Sequence, residues 1–309
     1  MKTKTRLKIA DVTIGFKSAD PMLAITGAGQ HFVSEDRGRN HISVRVKVVP
    51  RLPRLGAAKP VFVTCHFEDG EENWRLWKNR GGFLFTCPIK GKEQVITINR
   101  GFDRMTAFLL RKPRKGRAWD IEDIIYDFLQ VLLIVYLAQR RQGVIFHAAG
   151  IRDADGSGLL FAGKSTAGKS TTAKLWHREP GTTVLNDDRV IVRKRRGRFV
   201  MYSSPWHGDF HDHVASHIKA NRLDDIFFIR HASANAATPV APAKFIERFY
   251  PVTFPAFWDK SCLESILAFG QEIAARVPCF DLGLRKGPDS ISYIRRFLKK
   301  DRALPAGKR

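Results

Sequence analysis

The run GLLFAGKSTAGKSTTAKLW, residues 158–176, constrains this chain more than any other segment. It sets a short apolar stretch, a glycine-bounded loop and a helix-forming stretch in that order. The loop spells G-x-x-x-x-G-K-S: Gly163, Lys164, Ser165, Thr166, Ala167, Gly168, Lys169 and Ser170. Such a loop belongs where a strand turns into a helix. Its glycines let backbone N–H groups turn inward and cradle phosphate oxygens. Lys169 supplies a point charge for the β- and γ-phosphates, and Ser170 can offer its hydroxyl to Mg²⁺. The nucleotide-binding stretch is read as residues 163–171, Thr171 included.

A second constellation follows closely. TVLNDDRVIV (183–192) reads as a strand carrying two adjacent carboxylates, Asp187 and Asp188. Paired carboxylates can hold a metal and accept a proton, although an adjacent Asp pair alone is more often a polar turn. Position favours the chemical reading: the pair begins one helix and one strand after Lys169, much earlier than the acidic strand of most phosphate-loop ATPases and GTPases. Ser170, Asp187 and Asp188 are the expected metal contacts. His147, at the end of GVIFHAAG, can hydrogen-bond an aspartate or a phosphate oxygen.

These residues carry a resemblance. His147-Ala148-Ala149-Gly150, the loop, Asp187-Asp188-Arg189-Val190 and SSPWHGDF (203–210) resemble the catalytic domain of the HPr kinase family. That family shares its phosphate-loop fold with ATP-dependent phosphoenolpyruvate carboxykinase. The resemblance covers about residues 120–300 and is strongest over 143–210. It implies an α/β, HPr kinase/phosphoenolpyruvate-carboxykinase-like domain preceded by a β-rich α+β domain. It also implies an ATP- and Mg-dependent kinase acting on a serine hydroxyl. Lys169, Asp187, Asp188 and His147 would be the catalytic set, one aspartate activating the hydroxyl. The sequence departs from the family at Thr171, where an acidic residue is usual, and the family's C-terminal segment rich in Pro, Gly, Arg and Asn is not visible in 240–309. The first 115 residues do not resemble its usual N-terminal domain. It is more similar to the shorter HPr-kinase-like proteins of peptide-modification systems.

The remainder reads as two domains. Before residue 110, HISVRVKVV (41–49), VFVTCHF (61–67), FLFTCPI (83–89) and QVITI (94–98) alternate, as in an antiparallel sheet with one wet face. RKPRKGR (111–117) reads as a linker, dividing a β-rich domain, 1–115, which would bind the acceptor, from the catalytic domain, 116–309. A helical stripe at 121, 124, 125, 128, 131, 132, 135 and 136 predicts a helix within 119–141. Strands are expected at 143–151, 159–163, 199–204, 225–230 and 278–283, and helices at 260–277 and 288–300.

Lys and Arg total 53 against 30 Asp and Glu, for a net charge of +23. Such a field attracts polyanions, including an acidic peptide or protein acceptor. It permits nucleic acid without arguing for it, since no helix-turn-helix or RNA-recognition pattern accompanies it. The apolar window VLLIVYLA (131–138) is too short to span a bilayer. No signal-peptide run opens the sequence, and four scattered cysteines suit reduced thiols. The expectation is a soluble, cytoplasmic protein, with homo-oligomerisation open. Two other classes stay in view: a non-catalytic ATP-binding regulator and a nucleic-acid-dependent ATPase.

Overall fold

The computed structural model describes residues 3–19, 23–54, 59–65, 72–89, 92–110, 119–122, 124–210, 220–285, 287 and 289–303. The expected linker, 111–117, and with it the expected boundary at 115, lie outside the described residues. The chain folds as two compact units. One comprises Met1–Gln139 with Ala256–Lys260, the other Arg140–Pro255 with Ser261–Arg309.

The first unit is built on strands β1 (Thr3–Ile9), β2 (Val12–Ser18), β4 (Ile42–Val49), β5 (Phe62–Cys65), β6 (Glu72–Asn79), β7 (Gly82–Ile89), β8 (Lys92–Asn99) and β9 (Arg104–Leu110). They form one sheet in the order β1-β2-β4-β9-β8-β7-β6-β5, while the short β3 (Leu23–Ala24) and β10 (Trp119–Asp120) pair with each other. The expected antiparallel sheet is corrected here. β2–β4 and β4–β9 are parallel pairs, so the sheet is mixed. Alternation places Ile42, Val44 and Val46 on the buried face, with Met105, Ala107 and Leu109 beside them on β9. Over them lies the expected helix, a wider π-type turn at Ile124–Leu129 that tightens into α1 (Gln130–Gln139). Phe128 meets Phe85 of β7 edge-on, with ring centroids 5.5 Å apart. Among the described residues no helix is long and apolar enough to cross a membrane.

The second unit contains β11 (Gly143–Arg152), β12 (Gly158–Ala162), β13 (Thr183–Asn186), β14 (Arg189–Arg195), β15 (Arg198–Tyr202), β16 (Ala220–Arg222), β17 (Asp225–His231), β18 (Ala236–Pro239) and β19 (Cys279–Leu284). The sheet runs β16-β15-β14-β11-β12-β17-β19-β18, and β13 also pairs with β11. Its helices are α2 (Lys169–His177), α3 (Pro242–Phe249), α4 (Lys260–Ala274) and α5 (Asp289–Arg302). Strands β12 and β17 read as near-continuous apolar runs because both of their faces are covered. On one face Phe161, Phe227 and Phe280 stand in register and stack at 5.2 and 5.3 Å, ending against Phe297 of α5. On the other, Phe228, Phe245, Phe249 and Phe146 form a second ladder through α3. The expected strand over 183–192 is two strands, broken at Asp187-Asp188.

Candidate functional site

Strand β11 exchanges partners midway, and the candidate site sits at the exchange. His147 is the last β11 residue in register with β14, opposite Arg189; from Ala148 onward the strand pairs with β12. The Ala148 amide donates to the Asp188 carbonyl at 2.9 Å, and the Gly163 amide to the His147 carbonyl at 3.2 Å. His147, the start of the 163–168 loop and the aspartate pair are thus tied together by backbone hydrogen bonds.

The loop leaves β12 and enters α2 through Gly168, whose φ of +100° lies in the left-handed region that favours glycine. Thr166 also has positive φ, and its carbonyl lies 2.7 Å from His231 Nε2 at the end of β17. Thr172 secures the first turn of α2, its hydroxyl donating to the Gly168 carbonyl at 2.9 Å. Lys169 is buried and donates from Nζ to the Lys164 carbonyl at 2.8 Å, reaching back across the loop. Burial pulls its ammonium below the ordinary lysine value and Arg189 adds to the fall, against the opposing charges of Asp188 and Asp187.

The two aspartates are held differently. Asp187 is buried and accepts the Gly208 amide at 2.8 Å on Oδ1 and the Phe210 amide at 3.1 Å on Oδ2. Gly208 can approach this closely because it has no side chain; a Cβ there would stand 2.8 Å from Asp187 Oδ2. Asp188 lies between His147, whose Nε2 is 3.0 Å from Oδ1, and Arg189, which bonds Oδ2. Burial alone would raise the Asp188 carboxyl. The His147 hydrogen bond and the charges of Arg189, His147 and Lys169 outweigh it and hold the group below the ordinary value. Arg189 also stacks on Phe254, its guanidinium carbon 4.3 Å from the ring centroid.

Asn186 sets the break in the strand. Its side-chain oxygen accepts the amides of Asp188 and Arg189, each at 2.8 Å, and its amide group donates to the Ser204 carbonyl at 3.0 Å. The next two residues therefore turn toward the loop instead of continuing the ladder.

His147, Ser165, Thr166, Gly168, Lys169, Ser170, Thr171, Asp187 and Asp188 line one cleft of about 520 Å³. Gly163, Lys164 and Ala167 line a neighbouring cavity with Ser165 and Thr166. Sequence reasoning gave no role to Arg189, Gly208, Asp209, His231 or Phe254, which also line the cleft, nor to Asn186 behind it. The Asx signal of N-D-D could have exposed Asn186, whereas His231 and Phe254 reach the cleft only through tertiary packing. Among the described residues no group of three or more His, Cys, Asp and Glu forms a ready metal cage. The hard oxygen donors of Ser170, Asp187 and Asp188 nonetheless suit Mg²⁺, which takes one or two carboxylates and completes its shell with phosphate and water.

No curated protein matches the chain. Among solved structures it is similar to the Hpr(Ser) kinase/phosphatase from Coxiella burnetii, with 9% sequence identity and a TM-score of 0.29, over 52% of this chain and 94% of that one. A likeness of that size does not assign a fold. A family model described as SynChlorMet cassette protein ScmC matches residues 115–284, which include the loop, the aspartate pair and His147. That match spans more than half of the 309 residues, and the chain belongs to the ScmC family.

Proposed function

We propose that this protein is an ATP- and Mg-dependent kinase that transfers the γ-phosphate to a serine hydroxyl of a peptide or protein. The observation that carries the reading is the shared cleft, in which Lys169 and Ser170 open α2 beside Asp187, Asp188 and His147. In this reading the 163–168 backbone and Lys169 bind the phosphate chain, and Arg189 adds a second positive charge near the site of transfer. Asp188 takes the proton of the attacking hydroxyl, and its bond to His147 fixes its orientation. Asp187 positions the 208–210 segment against the cleft. Ser170 and the carboxylates would hold Mg²⁺, which neutralises phosphate charge when bound. In the same reading, the second unit is an HPr-kinase-like phosphate-loop domain.

The test is transfer from γ-labelled ATP to a serine-bearing peptide, compared with Lys169→Ala. Removing the ammonium should abolish transfer and weaken ATP·Mg²⁺ binding in a calorimetric titration. Unchanged affinity in the variant would remove the loop from the proposal. ATP binding by the native protein without transfer to any acceptor would instead favour a regulator, a reading that the engagement of Asp188 with both His147 and Arg189 also supports.

A further inference from the structure

The outer face of the first unit's sheet carries charge that its neighbours do not balance. Lys4 on β1 stands opposite Lys17 on β2, and Lys17 stands in register with Arg45 on β4. Three cations therefore occupy one row across three adjacent strands, with about 4.8 Å between strands. All three are exposed. Lys8, on the same strand as Lys4, has Asp36 at 3.8 Å, whereas no such ion pair is found for these three among the described residues.

The row continues into hydroxyls. Arg45 is in register with Thr106 on β9, and Thr106 with Thr97 on β8; one step along, Ser43 is in register with Arg104. Lys17, Arg45, Arg104, Ser43, Thr97 and Thr106 line a groove of about 450 Å³ whose lining, among the described residues, contains no acidic one. Asp103, 3.7 Å from Arg104, is outside that lining.

Like charges side by side on a sheet cost stability. A multiply charged anion laid across the row would relieve that repulsion, and the hydroxyls would complete its hydrogen bonds. We propose that this groove, with the cationic row that runs on from it to Lys4 one strand beyond, binds an extended acidic peptide segment, its carboxylates set over Lys17 and Arg45 in the groove and over Lys4 beside it. Alternate residues of an extended chain point the same way, so Asp or Glu at every second position would present one acidic edge to the row. A single-stranded nucleic acid would need aromatic platforms for its bases beside the cationic track. The one aromatic residue of this lining among the described residues, Phe83, is instead packed on the buried Phe102, with ring centroids 5.2 Å apart. That the segment belongs to the phosphate acceptor rests on the kinase reading; the binding itself does not.

The experiment is fluorescence anisotropy of a labelled peptide of alternating Glu and Ala, at near-physiological salt, with the full-length protein. The double variant Lys17→Gln, Arg45→Gln should weaken binding at least about tenfold. Its thermal midpoint should hold or rise as the repulsion is relieved. A control with the same charge change on exposed cations of the second unit, Arg276→Gln with Lys299→Gln, should leave binding unchanged. Should the double variant fail to fold, Lys4→Gln alone carries the test, with a several-fold loss expected. ATP affinity, titrated separately, should be unaltered in every variant, which separates this site from the nucleotide cleft. No binding by the native protein, or equal weakening in the control, would overturn the proposal. So would a single-stranded oligonucleotide of equal charge that binds more tightly than the peptide through the same residues, since the face would then be a nucleic-acid surface.

Discussion

Asp187 accepts the backbone amides of Gly208 and Phe210, while Asp188 keeps its carboxylate in the cleft between His147 and Arg189. The two should respond differently to the same change. Asp187→Asn replaces one acceptor oxygen with a donor facing a backbone N–H, and should cost about 2 kcal/mol of stability in a denaturant titration. Asp188→Asn should fold almost as well, retain ATP binding and lose at least about a hundredfold in transfer rate. Near-native transfer by the Asp188 variant would end its assignment as the base. The lowered Asp188 carboxyl gives a second expectation. Its folded value lies below the ordinary 3.8, so the stability it contributes is fully present above that value and is lost as pH falls through the folded value. The difference in thermal midpoint between native protein and Asp188→Asn should therefore shrink as pH falls below about 4. The sequence made the loop and the aspartate pair legible because each is a short run of neighbours. It could not divide the pair's roles, because the amides that hold Asp187 lie 21 and 23 residues further on, after β14 and β15.

Elements that form from local pattern were readable, and those that depend on distant pairing were not. The runs at 41–49, 83–89 and 94–98 alternate and became strands, and the stripe within 119–141 became helix over 124–139, while Trp119–Asp120 became a short strand. The parallel pairing of β2 with β4 and β4 with β9 leaves no local mark, since alternation reports which face is buried and not the direction of the neighbour. The break between β13 and β14 was hidden for another reason. TVLNDDRVIV has the composition of one strand, and the hydrogen bonds of the buried Asn186 side chain to Asp188, Arg189 and Ser204 divide it. Asn186→Ala removes them together and leaves the partly buried amides of Asp188 and Arg189 unpaired. A destabilisation of about 2–3 kcal/mol is expected from thermal unfolding. Because Asn186 orients Asp188 without lining the cleft, the transfer rate should fall while ATP affinity changes less than about threefold. Equal losses in rate and affinity would mean that the break supports the whole loop.

At the scale of the whole molecule, the first unit is not one continuous stretch of chain: Ala256–Lys260 returns to it. Trp258 in that return lies with its ring centroid 5.2 Å from Phe62 and 5.5 Å from Trp74, and Trp74 in turn lies 4.7 Å from Phe85. Trp258→Ala should therefore weaken the first unit by about 2–3 kcal/mol, less than for a fully buried tryptophan because the ring is partly exposed. Unfolding followed by fluorescence should show the loss, and titrated ATP affinity should remain native. A shift in ATP affinity of the same size would show the return to be needed by the second unit as well. The same return bears on biosynthesis. A ribosome must translate all of Arg140–Pro255 before it reaches the segment that completes the first unit, on the order of ten seconds at ordinary elongation rates. Through that interval Phe62 and Trp74 have each other and Phe85 but not the Trp258 ring, so the nascent first unit waits for its last aromatic contact.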